Sequence, residues 1–178
     1  MHVRSVGATG LKVSRLGLGT MTWGRDTDEH EARDQLIAFA EAGGSLARLG
    51  VDHVDLWQVH TWVDDAPLEE TLSALDTAVA TGRASYVGVS NYAGWQTAQA
   101  ATWQRAVPGR VPLASTQMEY SLLNRTIEDE VLPAAHALGL GVLAWSPLGR
   151  GVLTGKYRTG TPADSRAASQ HLSRFVDP

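Results

Sequence analysis

The chain has 178 residues, a formal net charge of −4 and no cysteine. That balance argues against a sequence-independent nucleic-acid binder, which needs a basic face to neutralise phosphates, and the missing thiols rule out a disulfide framework or a thiolate metal site. No apolar run approaches the roughly 18 residues of a membrane-spanning helix, and the N-terminal MHVRSVGATG lacks the apolar stretch of a signal peptide, so a soluble cytoplasmic protein with no membrane partner is expected.

In chain order, residues 15–20 predict a strand and residues 31–42 a helix, with Leu36, Ile37, Phe39 and Ala40 near one face and Gly43 and Gly44 as its stop. Residues 45–50 then read as the last turn of another helix that has its own glycine stop but no beginning. An apolar strand follows over residues 51–60. Pro67 opens a helix that runs through Val79 and carries Leu68, Leu72, Leu75 and Val79 on one side. Residues 84–89 form the next strand with Ser90 and Asn91 as its polar tip, residues 95–105 a helix, and residues 113–120 a strand. Asn124 caps a helix over 127–138 that Gly139 stops, and the strand 140–145 leads into the glycine-rich loop 147–151.

Strands and helices alternating at about 30 residues per unit define an α/β protein, either an open doubly wound sheet or an eight-stranded barrel. Polar residues gather just past the strand C-termini, at Thr20, His60, Ser90, Asn91, Gln117 and Ser146. In both folds that end carries the site.

The segments GLGTMTWG (17–24), VDLWQVH (54–60), VGVSNY (87–92), TQMEYSLLNR (116–125) and AWSPLGRGVLTGKY (144–157), in this order, resemble the aldo-keto reductases. The resemblance covers nearly all of residues 1–178 as one domain. It implies a (β/α)8 TIM barrel, with a small hairpin over residues 3–13 at its base. It also implies NADP(H) lying across the barrel mouth without a GxGxxG fingerprint, and hydride transfer between that cofactor and the carbonyl of an aldehyde or ketone. In the family a tyrosine protonates the carbonyl oxygen, its acidity raised by a lysine that pairs with an aspartate, and a histidine polarises the carbonyl. A hydride acceptor develops alkoxide charge, which is why a tuned acid stands beside it.

His60 matches the family histidine. The aspartate, tyrosine and lysine fall where Gly44 meets Ser45, so roughly 60 residues, about two units, are expected to be skipped there and the domain to be discontinuous at 44/45. The family's last strand and its grip on the adenosine 2′-phosphate fall beyond Pro178, so NADP over NAD rests on the resemblance.

The resemblance further assigns Ser90, Asn91 and Gln117 to the nicotinamide carboxamide and Trp145 to a stack on its ring. Ser146, Pro147, Leu148, Gly149 and Gly151 would wrap the pyrophosphate, where glycines admit close backbone approach and leave the loop little packing to hold it. Lys156 and Arg166 would bring positive charge. Gly19, Thr20 and Met21 would line the mouth under the cofactor, and Trp23 and Trp62 would wall the substrate.

Each residue also has a plainer role open to it. His60 fits a structural histidine, Trp145 fits core packing at a strand end, and Ser90 with Asn91 fits a turn or helix cap. Trp57 alternates with Gln58 and is expected in the core of the helix layer. His30, His53, His136 and His171 lack ligand spacing with carboxylate support, and no metal is expected. Tyr86, Tyr92 and Tyr120 have no neighbouring lysine to make them proton donors. Two functions follow: a carbonyl reductase, or a shortened, inactive relative that binds cofactor or a protein partner. The sequence assigns no oligomeric state and no particular carbonyl substrate.

Overall fold

A computed structural model describes residues 3–14, 54–64, 66–158 and 160. The expected strand 15–20, the helix 31–42, the turn 45–50 and the 44/45 join lie outside the described residues. So do Gly19, Thr20, Met21, Trp23 and Arg166.

The first two strands, β1 (Val3–Ser5) and β2 (Lys12–Ser14), pair antiparallel as a hairpin. Then come β3 (Val54–Val59), α1 (Leu68–Ala80), β4 (Ala84–Ser90), α2 (Gly94–Ala106), β5 (Leu113–Glu119), α3 (Val131–Ala137) and β6 (Gly141–Trp145). Strands β3 to β6 form one parallel sheet in sequence order, and among the described residues it does not close into a barrel.

Apolar periodicity explains the helix layer. In α1, Leu68, Leu72, Leu75 and Ala78 recur at helical spacing and are buried in one core with Val87 and Val89 of β4 and Leu113 of β5. Val79, expected on this face, is only partly buried, and Ala78 takes the deep position. The buried side of α2 is made of small residues (Gly94, Thr97, Ala100, Ala101) plus Gln104. Its N-terminus is closed from two directions. The Ala93 N–H donates to Gln96 Oε1 (2.8 Å) and the Gly94 N–H donates to Glu130 Oε2 (3.1 Å). Glu130 thus supplies the oxygen that Ala93 lacks, and Glu130→Ala is expected to cost about 0.5–1 kcal/mol, read as a shift in thermal midpoint.

Two sequence expectations need correction. The helix expected over 127–138 is a 3₁₀ turn (Thr126–Glu128) followed by α3, with Glu130 between them at φ −131° and ψ −51°. Proline is the cause: a continuous helix would need a Pro133 N–H for the Asp129 carbonyl, so α3 can begin only where Pro133 falls in its first turn. Asn124, expected as the cap, stands one residue before the N-cap Arg125, which has no side-chain cap; its Oδ1 accepts from the Thr126 hydroxyl at 2.9 Å and from the Thr126 N–H at 3.4 Å. Trp57, expected in the helix-side core, is 47 % exposed. Among the described residues its strand is the first of the sheet, and α1 packs on β4 rather than over Trp57.

The hairpin seals the end of the sheet opposite the candidate site. The Ala8 N–H donates to the Gly139 carbonyl (2.8 Å), and a Cβ at Gly141 would lie 2.6 Å from Val6 Cγ1 and 2.7 Å from the Gly7 nitrogen. Only glycine permits that approach.

Candidate functional site

One row of the sheet supports the site from below. Gln58, Gly88, Ser115 and Gly141 are register partners across β3 to β6. The Gln58 side chain crosses over Gly88 and donates to Ser115 Oγ (3.1 Å) and the Val89 carbonyl (3.3 Å). A Cβ on Gly88 would lie 2.4 Å from Ser115 Oγ, so glycine is what lets the amide pass.

At the C-terminal tips of the strands the chain brings His60, Ser90, Asn91, Gln117 and Trp145 together. Asn91 is their centre. Its N–H and the Ser90 hydroxyl both donate to the Gln117 carbonyl, at 2.9 and 3.0 Å. Its side-chain Nδ2 donates to the His60 carbonyl (2.8 Å) and to Ser90 Oγ (3.1 Å), while its Oδ1 accepts from Trp145 Nε1 (3.0 Å). His60 and Trp145 therefore stand at the same end of the sheet, bridged by one amide. The His60 ring is exposed, and neither it nor the Gln117 amide has a hydrogen-bond partner among the described residues.

The backbone here is unusual. Among the described residues, the non-glycine positions with positive φ are Asn91 (56°), Ser146 (51°) and Arg150 (56°), all at this end of the sheet. Such residues persist where surrounding bonds over-determine them, and they cluster at functional sites.

The loop after β6 folds as a 3₁₀ segment (Gly149–Thr154) with left-handed Arg150 and Gly151. It is better packed than its glycines led one to expect: Gly149 is buried, and a Cβ there would lie 2.6 Å from Leu123 Cδ1. Pro147 and Leu148 are exposed at its entrance, and Gly149 N–H donates to the Ser146 carbonyl at 2.9 Å. Lys156 folds back over Gly151, where a Cβ would meet its Cε at 2.9 Å, and its ammonium sits 5.0 Å from the Tyr157 ring centroid. Arg150 reaches Glu119 at 3.6 Å, tying the loop to the end of β5. Neither Glu119 nor Arg150 was singled out from sequence, although Glu119 lies two residues past Gln117 and so on the same strand face.

Trp62 lies past the tip of β3. Its ring meets Tyr92 edge-on at 5.2 Å and Trp95 at 5.5 Å, and its Nε1 donates to Asp64 at 2.8 Å. The tyrosines near the site are held away from acid chemistry. Burial raises the Tyr92 hydroxyl above its ordinary 10.0. Tyr120 donates to Glu128 Oε1 at 2.7 Å, and that bond chiefly raises its pKa as well.

Arg125 donates to both Glu128 oxygens (2.7 and 2.9 Å), and this contact first, then Tyr120, holds the Glu128 carboxyl below its ordinary 4.5. The cluster's contribution to stability is therefore present above that ordinary value and is lost as pH falls through the depressed one. On the alkaline side the Tyr120 contribution is present below 10.0 and is lost as pH rises through the raised value. Glu128→Gln is expected to flatten both limbs of a melting-temperature profile against pH; an unchanged profile would refute the assignment.

Among the described residues no group of three or more His, Cys, Asp or Glu side chains could hold a metal ion. Nor is any described helix long and apolar enough to cross a membrane.

A parallel α/β sheet that gathers amide, imidazole and indole groups at its strand C-termini beside a glycine-rich loop has its polar cluster at the end where such folds carry their sites. Residues 40–176 match the model of the aldo/keto reductase family, and the chain belongs to that family. The family fold is a (β/α)8 barrel, of which β3 to β6 are four successive strands.

The chain is 36% identical to the uncharacterized oxidoreductase YrpG of Bacillus subtilis (strain 168) over 228 aligned residues, covering 88% of this chain and 69% of that protein. It is 41% identical over 123 residues to the L-glyceraldehyde 3-phosphate reductase of Escherichia coli (strain K12), covering 68% of this chain and 35% of that one. It is also 41% identical over 139 residues to a probable voltage-gated potassium channel subunit beta of Oryza sativa subsp. japonica, covering 75% of this chain and 41% of the relative. The chain thus spans well under half the length of the last two. Because 88% of 178 residues is about 157, about 70 of the 228 positions aligned with the Bacillus protein have no counterpart here.

Proposed function

We propose that the protein is an oxidoreductase of the aldo/keto reductase type, transferring a hydride between NADP(H) and the carbonyl of an aldehyde or ketone, with its nicotinamide site at the tips of β3 to β6. The observation that carries this reading is the Asn91-centred cluster, which unites His60, Ser90, Gln117 and Trp145 at the strand C-termini. The residues suit the cofactor's chemistry. The Gln117 amide has a donor and an acceptor to offer a carboxamide, the Trp145 ring offers an aromatic face, and Lys156 stands over Gly151 beside a loop bent tightly enough to curl around phosphates. When bound, NADP(H) supplies or accepts the hydride. The exposed His60 imidazole is free to donate to a carbonyl oxygen and polarise it.

A second reading follows from the resemblance, which places the aspartate, tyrosine and lysine of the family mechanism in the segment expected to be skipped at 44/45. Neither Tyr92 nor Tyr120 is well placed to replace the tyrosine, since Tyr92 is buried and the Tyr120 hydroxyl donates to Glu128 at 2.7 Å. The alignment with about 70 positions unmatched here supports a skipped segment of that order. On this reading the chain binds the cofactor without turnover.

A fluorescence titration with NADPH, followed by NADPH oxidation assayed over a panel of aldehydes and ketones, separates the two. Binding with turnover supports the reductase, binding without turnover supports the second reading, and failure to bind sinks both. The intact mass adds an independent check. A mass of 19.1 kDa means that the protein is no longer than this chain, whereas about 30 kDa is what a closed barrel of about 250 residues requires.

A further inference from the structure

Asn91 spends both donor hydrogens of its side-chain amide within the protein. Both hydrogens of Nδ2 are committed, one to the His60 carbonyl (2.8 Å) and one to Ser90 Oγ (3.1 Å), and Oδ1 takes the Trp145 indole hydrogen (3.0 Å). A primary amide has two donor hydrogens and no more, so none remains for a ligand. The same residue is held at φ 56°, and its N–H is fixed by the Gln117 carbonyl at 2.9 Å, so the amide is locked from its own backbone outward. Its three side-chain bonds join the end of β3, the end of β4 and the end of β6. The Gln117 amide, by contrast, has no partner among the described residues.

We propose that Asn91 is a positioning residue: it sets the orientation of the Trp145 ring and the end of β3 through its side-chain amide, and leaves the donor contact to a carboxamide to Gln117. The consequence for cofactor rests on the functional reading above; the tether itself does not. A tryptophan free to rotate about its side-chain bonds offers its face to a planar ring only part of the time, and the Nε1 bond removes that freedom before a ligand arrives.

The test uses three variants: Asn91→Gly, which accepts the left-handed backbone without strain, Trp145→Phe, which keeps an aromatic face but loses the indole hydrogen, and the double replacement. The ¹H–¹⁵N cross-peak of the Trp145 indole, identified by its loss in Trp145→Phe, is expected to move toward the position of a water-exposed indole in Asn91→Gly. A peak that stays in place overturns the tether. For NADPH, each single replacement is expected to raise the dissociation constant about three- to tenfold, the range of one hydrogen bond. The double replacement should cost less than the product of the two single losses, because both remove the Asn91 to Trp145 bond. Losses that multiply would show Asn91 acting on the cofactor by itself and would overturn the positioning role. If NADPH fails to bind the unmodified protein, the functional reading falls, while the indole peak still decides whether Asn91 holds Trp145.

Discussion

Replacing Asp76 with alanine is expected to lower the unfolding free energy by about 1–3 kcal/mol, the largest single effect anticipated here, because one buried and one half-buried donor would lose an acceptor. Asp76 Oδ1 accepts from Gln104 Nε2 and from the Val111 N–H, both at 2.9 Å. Gln104 is 1 % exposed, so water does not replace the lost oxygen there, and its Nε2 keeps only the Val111 carbonyl at 3.0 Å. Arg110 adds an ion pair with Asp76 at 3.3 Å and donates to Ser73 Oγ and Gln104 Oε1. The Asp76 and Arg110 side chains are 22 % and 20 % exposed, so solvent screens their attraction and the two N–H donors carry most of the effect. The cluster ties α1, α2 and the entry to β5 at the edge of the core that supports the site. Urea unfolding should show a lower midpoint at constant slope for Asp76→Ala. Asp76→Asn, which keeps an oxygen for both donors, should lose clearly less; equal losses would show that the charge rather than the acceptor matters.

The sheet was legible because each strand is an apolar run closed by polar residues. Of the strand read at 51–60 the described part is Val54–Val59, and the one read at 113–120 is Leu113–Glu119, one residue shorter at its end. Two kinds of error remained, and each has a cause. The break before α3 was written in Pro133 but lost to the longer apolar period of 127–138, which ignored the missing N–H. Trp57 could not be placed from alternation, because period two tells which face a side chain takes but not whether a helix covers that face.

The candidate site was legible as a set of residue types at strand tips, and much less so as a bonding pattern. Sequence placed Ser90 and Asn91 beside each other and Gln117 on the next strand. It held no sign that Asn91 would adopt a positive φ, or that its amide would be used by a carbonyl 31 residues before it and an indole 54 residues after it. The Glu119 to Arg150 contact was hidden for the same reason, since pairing between separate strand ends is decided by the fold and not by local spacing.

Trp145→Ala is expected to weaken NADPH binding by about 1–2 kcal/mol, the order of one lost aromatic stacking contact. Trp57→Ala is the control, because it removes a comparable ring at a site 47 % exposed and away from the Asn91 cluster. Its register partner is Val87, two pairs short of the strand tip, so its loss touches neither His60 nor Gln117. The Trp145 ring has a more specific setting. It ends β6, pairs in register with Glu119, and is fixed by its Nε1 bond to Asn91. NADPH titrated into the unmodified protein should change the Trp145 emission, and that change should vanish in Trp145→Ala while surviving in Trp57→Ala. Were Trp57→Ala to weaken binding more than Trp145→Ala, the stacking face would have to lie elsewhere, and the tips of β3 to β6 would lose their claim to the nicotinamide.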